Sequence, residues 1–483
     1  MTNNKYKIWV LLLTIFGVNR LAAQHDFKFK IKDLRISQCV FGYYLGNEVK
    51  KLAFLPVDTL SGDITYKTSD DLQEGIYFLQ NTEGGNILDF VVEKNKDNKY
   101  FTLTLETTFF NPIDSVKISR SEANQAYYDY MKKNRKLLVD IKNAREAIER
   151  LREMTNDAEI IGKQNEFLQT KLKNLDSLSL DFQQKNPNRL FSKVLRANTP
   201  PSVPTDLKPT NADKKPNPAY AHYYRQHFFD NIDFSDERLL RTKVYDAQLS
   251  RYFLQMLTPN TDSIKRAADA MLSRLRTNKA FFNYTLRRLL FMFDVTEKNM
   301  ASLTRIPDAD AIVVHLVDTY TADLENATDL ATAERAKYRA NLLRPTLLGS
   351  KFPSLTLPKV SDNTPLSMGS LSSKFTLVLF YDPDCSHCKE ALPYIENAVN
   401  QFKNKGLNIY AIINAPSEVA QDFIKKRTDM AVWQHVYPDS METQRLFDGY
   451  LLPVIFLLDK DKKIIAKRIK GEQLENILEK LMK

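Results

Sequence analysis

The apolar run Thr376-Leu377-Val378-Leu379-Phe380-Tyr381 breaks at Asp382-Pro383-Asp384. It gives way to a stretch whose apolar positions, Leu392, Ile395, Ala398 and Phe402, recur at helical spacing. A strand apolar at every position has to be covered on both faces, so this strand–turn–helix junction requires a layered α/β unit around it. The junction also places Cys385-Ser386-His387-Cys388 on the first turn of the helix. Unsatisfied N–H groups and the helix dipole favour an anion at that position, which for cysteine means thiolate, the form that attacks a disulfide. Cys388 follows one turn on and on the same face, within reach of a disulfide with Cys385. The residues therefore predict an exposed attacking thiol at Cys385 and a shielded resolving thiol at Cys388.

A structural zinc site is the competing use of such a pair. It needs two further Cys or His ligands at motif spacing, and the sequence holds no second C-x-x-C and no H-x-x-x-H. Only three cysteines occur in 483 residues, which excludes a disulfide-stapled scaffold. The third, Cys39, lies beside Val40 and Phe41 with nothing cationic adjoining it, and reads as a buried, inert thiol. The redox compartment is indicated instead by the N-terminus. Lys5 and Lys7 precede the apolar run Ile8–Val18, and Leu21-Ala22-Ala23 follows. This is the pattern of a secretory signal peptide over residues 1–23, with an uncleaved anchor as the alternative. The expected location is the periplasm or cell envelope. The net charge of +10 is spread along the chain and interleaved with acids, without the aromatic interleaving of a nucleic-acid binder.

The length implies about three domains. Residues 24–121 alternate apolar and polar, as in Phe27-Lys28-Phe29-Lys30-Ile31-Lys32 and Phe101-Thr102-Leu103-Thr104-Leu105, and predict an antiparallel β domain, a sandwich. Residues 122–345 are helical. Leu137, Ile141, Ala144, Ile148 and Leu151 form an a/d seam that turns near Thr155-Asn156-Asp157 into a helical hairpin, and a Pro-rich loop spans 199–218. Residues 346–483 alternate strands and helices and predict the α/β domain.

That last stretch resembles the thioredoxin superfamily and, within it, the exported thiol–disulfide oxidoreductases of the TlpA type. The resemblance rests on Cys385-Ser386-His387-Cys388 and on Leu452-Pro453 ahead of Val454–Leu458, which match the active-site motif and the cis-proline site. It implies a redox-active disulfide Cys385–Cys388 with no other cofactor and no metal, protein thiols or disulfides as partners, and an upstream dithiol electron donor or acceptor. It further implies that Leu452 and Pro453 bind an extended substrate segment, flanked by Tyr381 and His387. His387 and Asp384 are the neighbours expected to tune the attacking thiol, in opposite senses.

The departures are informative. Asp384 stands where thioredoxin has a tryptophan, Leu379 where it has a buried aspartate, and Ala391 where many TlpA-like proteins carry a glutamate, with Glu390 one place early. The group that deprotonates Cys388 is thereby left open. The direction expected from the resemblance is reductase or isomerase. A peroxiredoxin-like thiol peroxidase is the alternative enzyme, but Asp382 occupies the place of the hydroxyl residue it needs three before the cysteine. A third reading makes the β and helical regions a partner-binding module with redox activity secondary. The C-terminal sequence does not exclude it.

Overall fold

The computed structural model describes residues 25–94, 100–154, 157–207, 217–296, 299, 303, 305–327, 330–430, 432–438, 443, 447–448 and 451–482. The segment expected as a signal peptide, residues 1–23, and most of the expected Pro-rich loop, residues 208–216, lie outside this range. The chain divides into two compact units. The first runs to Thr199 and adds Asn231–Asp233 and Arg238–Asp246; the second holds the remainder. The helical stretch expected as a domain of its own over 122–345 is thus shared between the two.

The first unit begins with eight strands: β1 (His25–Lys32), β2 (Gln38–Leu45), β3 (Glu48–Pro56), β4 (Asp63–Thr68), β5 (Gly75–Gln80), β6 (Asn86–Val92), β7 (Thr102–Thr108) and β8 (Lys117–Ser119). They form two four-stranded sheets, ordered β4-β1-β7-β8 and β3-β2-β5-β6. Alternation buries Phe27, Phe29 and Ile31 of β1. Phe27 meets Phe41 at 5.4 Å and Phe29 meets Phe90 at 5.1 Å between ring centroids. The unit is a β domain, but not a purely antiparallel one, because β1 pairs parallel with β7. The intervening chain adds β4 to the other edge of β1 and builds the second sheet before β7 returns alongside β1. Cys39 is fully buried in this core, and burial pushes its thiol up to about 12.

The described residues of this unit also form α1 (Glu122–Met154), α2 (Ala158–Lys185) and α3 (Leu190–Asn198). Ile141, Ala144 and Ile148 of the seam are buried in α1, and Asp157 caps α2 by accepting from the N–H groups of Glu159 and Ile160. The hairpin belongs to the β unit because α1 satisfies the edge of β6. Asn124 accepts from Val91 N at 2.8 Å and donates to Val91 O at 2.7 Å, doing with one side chain what a neighbouring strand would do.

The second unit contains α4 (Pro218–Gln226), α5 (Val244–Arg251, whose first residues belong to the first unit), α6 (Thr261–Arg274), α7 (Lys279–Phe293), α8 (Asp310–Ala327) and α9 (Leu330–Leu343). The expected α/β domain follows. It comprises the hairpin β9 (Thr356–Pro358) and β10 (Pro365–Ser367), then β11 (Phe375–Tyr381), α10 (Ser386–Phe402), β12 (Leu407–Ile413), α11 (Ser417–Lys426), β13 (Gln434–Val436), β14 (Val454–Leu458), β15 (Ile464–Lys467) and α12 (Gly471–Leu481). The five-stranded sheet has the order β13-β12-β11-β14-β15, with β11 parallel to β12 and antiparallel to β14. Every residue of β11 is buried. Leu377, Leu379 and Tyr381 face one core with Cys388, Leu392 and Ile395, and Val378 and Phe380 face another with Phe352, Phe447 and Phe456. That two-sided burial is what a continuously apolar strand demands. No described helix is long and apolar enough to cross a membrane.

Candidate active site

The turn between β11 and α10 is built from its own aspartate. Asp382 Oδ1 accepts Asp384 N at 2.8 Å and Asp382 O accepts Cys385 N at 3.3 Å. This leaves Cys385 as the N-cap of α10 in extended conformation, φ −70 and ψ 125. Its carbonyl takes the first helical bond from Lys389 N at 3.0 Å, and its side chain makes no capping bond, so the sulfur is left to other chemistry. The sulfur is part-buried and sits 3.9 Å from the carbonyl oxygen of Leu452. The Leu452–Pro453 bond is cis.

Cys388, one turn into α10, is 0% exposed. Burial pushes its thiol up to about 12, and Cys385 beside it adds to this; the amide of Asp382, donating to Sγ at 3.5 Å, works the other way. The two cysteines therefore differ in access, and both are thiols in this structure. No carboxylate hydrogen-bonds the Cys388 sulfur among the described residues; Asp382 reaches it through its backbone, and Glu390 is exposed. Pro393 lies inside α10 and has no N–H to give the carbonyl of Lys389.

His387 and Asp384 both lie on the solvent side of the motif. The Asp384 carboxylate is 87% exposed, with Lys389 Nζ at 3.9 Å. Leu452 and Pro453 are half-buried beside Cys385. Tyr381 departs from expectation. It is 0% exposed, and its hydroxyl donates to Nδ1 of His435 at 3.1 Å, so it does not flank the substrate path. The reason is strand alternation: Tyr381 shares a face with Leu377 and Leu379 and points into the core.

His435 is a partner the sequence did not expose, since it lies on a three-residue strand. Its Nε2 lies 3.3 Å from the carbonyl of Met430, which fixes Nε2 as donor and Nδ1 as acceptor of the Tyr381 proton. Burial lowers its pKa to about 4 from the ordinary 6.5, and the bond to Met430 only partly opposes this. A histidine depressed in the folded state must take up a proton on unfolding. It contributes stability in full above about pH 6.5 and loses it as pH falls toward about 4, on the order of 3 kcal/mol in all. Denaturation midpoints by circular dichroism should fall across that window in the native sequence. The profile should be flatter in His435→Asn, and equal slopes would remove His435 from the account.

A five-stranded sheet with a dithiol at the start of the helix after its central strand, and a cis-proline loop facing the first sulfur, defines the class: a thioredoxin-like fold bearing a redox motif. Comparison with known proteins agrees. Residues 348–467 match the AhpC/TSA family, so the C-terminal region is a thioredoxin-like domain of that family, and residues 162–295 match a domain of unknown function, DUF5106. Curated relatives include the thiol-disulfide oxidoreductase ResA of Bacillus thuringiensis subsp. konkukian, 25% identical over 136 residues, which cover 28% of this chain and 77% of that protein. ResA of Bacillus subtilis is 26% identical over 139 residues, covering 28% and 73%. Among solved structures, a thioredoxin-like protein from Bacteroides caccae is 17% identical, covers 58% of this chain and 97% of its own, and has a TM-score of 0.44. A thiol:disulfide interchange protein from a Bacteroides species is 29% identical, covers 28% and 90%, and has a TM-score of 0.25.

Proposed function

We propose that the chain is an exported thiol–disulfide oxidoreductase that exchanges disulfides with protein substrates through Cys385 and Cys388. The observation that carries this reading is the asymmetry of the pair, a part-exposed sulfur at the N-cap of α10 and a fully buried one a turn below it. In the reductive direction the thiolate of Cys385 attacks one sulfur of a substrate disulfide, forming a mixed disulfide and releasing the other sulfur as thiolate. Cys388 then gives up its proton and attacks the sulfur of Cys385. The second substrate sulfur leaves as thiol, and the Cys385–Cys388 disulfide forms. Substrate gains two electrons and the proton of Cys388, the first-released thiolate takes from solvent the proton that Cys385 had given up on ionising, and an upstream dithiol restores the pair. Leu452, whose carbonyl already faces Cys385, is placed to meet the backbone of the substrate segment.

The direction we propose is reductase or isomerase, and the location extracytoplasmic, in keeping with the basic-then-apolar N-terminal segment. His387, as hydrogen-bonding or cationic neighbour, should stabilise the reduced form, and the Asp384 carboxylate should oppose it. We expect a potential of roughly −250 to −170 mV, with His387→Pro more reducing.

The match to the AhpC/TSA family keeps a peroxidase reading in view. Against it, Asp382 stands where a hydroxyl is needed, and its carboxylate is engaged by Asp384 N. Differential alkylation tests the asymmetry. In the native protein near neutral pH, iodoacetamide should label Cys385 and spare Cys388 and Cys39. A thiol at about 12 holds roughly three thousandfold less thiolate than an ordinary one near 8.5, and both spared residues are fully buried. Labelling of Cys388 ahead of Cys385 would reverse the assignment.

A further inference from the structure

The segment that carries Leu452 is held from outside the α/β domain. Asp448, four residues earlier, is 3% exposed at its side chain and takes a bidentate pair of bonds from Arg339 of α9, at 2.6 Å and 3.1 Å. The same carboxylate accepts from Arg468, at the end of β15. Arg468 N donates to the carbonyl of Ile455 at 2.7 Å, two residues past Pro453, and its guanidinium reaches Asp310 of α8 at 2.6 Å. Arg339 is in turn fixed by Asp294, Nε to Oδ1 2.8 Å, at the end of α7. Leu451 N closes the turn onto Asp448 O at 2.8 Å. The Leu452 segment is therefore bracketed on both sides, by the Asp448 carboxylate before it and by the Arg468 amide after it. Both bracket residues have left-handed backbone, φ 51 each, a region where arginine is rare. For Arg468 the surroundings, more than its own preference, impose that geometry.

We propose that Arg339 of the helical layer is a positioning residue for disulfide exchange: through Asp448 it sets where the carbonyl of Leu452 stands relative to the sulfur of Cys385. The proposal rests on the dithiol reading above and gives α7, α8 and α9 a part in substrate engagement. A planar, bidentate guanidinium fixes a carboxylate in orientation as well as position. Lysine, a point charge, keeps the charge and loses the orientation.

The test uses the full chain with two oxidants: insulin, a protein disulfide that has to lie along Leu452, and 5,5′-dithiobis(2-nitrobenzoic acid), a small disulfide that needs only the Cys385 sulfur. Arg339→Met should raise the KM for insulin about tenfold and leave kcat and the rate with the small disulfide within about twofold. Arg339→Lys, the safer variant if the first unfolds, should raise the KM by a smaller factor in the same pattern. A folded variant whose insulin KM is unchanged overturns the proposal. So does a parallel loss with both oxidants alongside a lowered melting temperature, which marks a merely structural bond. A native chain inert toward both oxidants would instead defeat the dithiol reading itself.

Discussion

Cys385→Ser should abolish disulfide exchange to the uncatalysed background, while Cys388→Ser should stop the reaction halfway and accumulate protein bound through Cys385. The two substitutions are chemically identical, so the difference in outcome can come only from position. Cys385 caps α10 with its sulfur part-exposed and facing Leu452 O; Cys388 lies fully buried beneath it, its thiol pushed up to about 12. Without Cys385 there is no accessible attacking sulfur, since Cys39 is buried in the other unit. Without Cys388 the mixed disulfide has no resolving thiol, and substrate stays attached. Non-reducing electrophoresis of each variant, expressed in its native host, reads both outcomes. Adducts in Cys385→Ser and none in Cys388→Ser would reverse the roles.

Asp310→Ala should cost about 3–5 kcal/mol of stability in the unit that holds the dithiol, the largest effect expected away from the cysteines. Asp310 is 0% exposed and lies between Lys467 Nζ at 2.8 Å and Arg468 at 2.6 Å. Burial alone would raise its pKa, but the two cations outweigh that and hold it at about 2, below the ordinary 3.8. The substitution removes the carboxylate and leaves its cations in place, with Asp308 still on Lys467 and Asp448 still on Arg468. Because the folded pKa is depressed, this stabilisation is present above about pH 4 and is lost as pH falls through about 2. The gap between native and variant should narrow over that range. Of the two tryptophans, Trp9 lies in the segment expected to be a signal peptide, so in a chain lacking residues 1–23 the fluorescence of buried Trp433 reports this unit alone. A change below about 1 kcal/mol would mean that the remaining acids suffice.

The strand–turn–helix junction that carries Cys385 and Cys388 was legible because everything that makes it is local. The apolar run, the Asp-Pro-Asp turn and the helical spacing after Cys385 lie within some thirty consecutive residues, and each is a short-range rule. The β sandwich was legible from alternation for the same reason, although alternation does not report strand direction, and the parallel pairing of β1 with β7 was missed. Tyr381 was misplaced on the rim although the pattern that buries Leu377 and Leu379 buries it too. What the sequence concealed is long-range. Arg339 meets Asp448 across 109 residues, and Arg468 meets Asp310 across 158. Charged residues scattered in an interleaved chain give no sign of which will be buried together, and three short strand residues around His435 carry no period. The bond by which Asn124 closes the edge of β6 was hidden likewise, since its partner Val91 lies 33 residues away.

The most direct test of dithiol exchange is to mix the fully reduced chain anaerobically with insulin and map both products by mass. Two hydrogens should be lost from the peptide bearing Cys385 and Cys388, Cys39 should be unchanged, and two insulin thiols should appear for each chain oxidised. Insulin left intact, while hydrogen peroxide rapidly converts Cys385 alone to its sulfenic acid, would contradict exchange and make the chain a peroxidase.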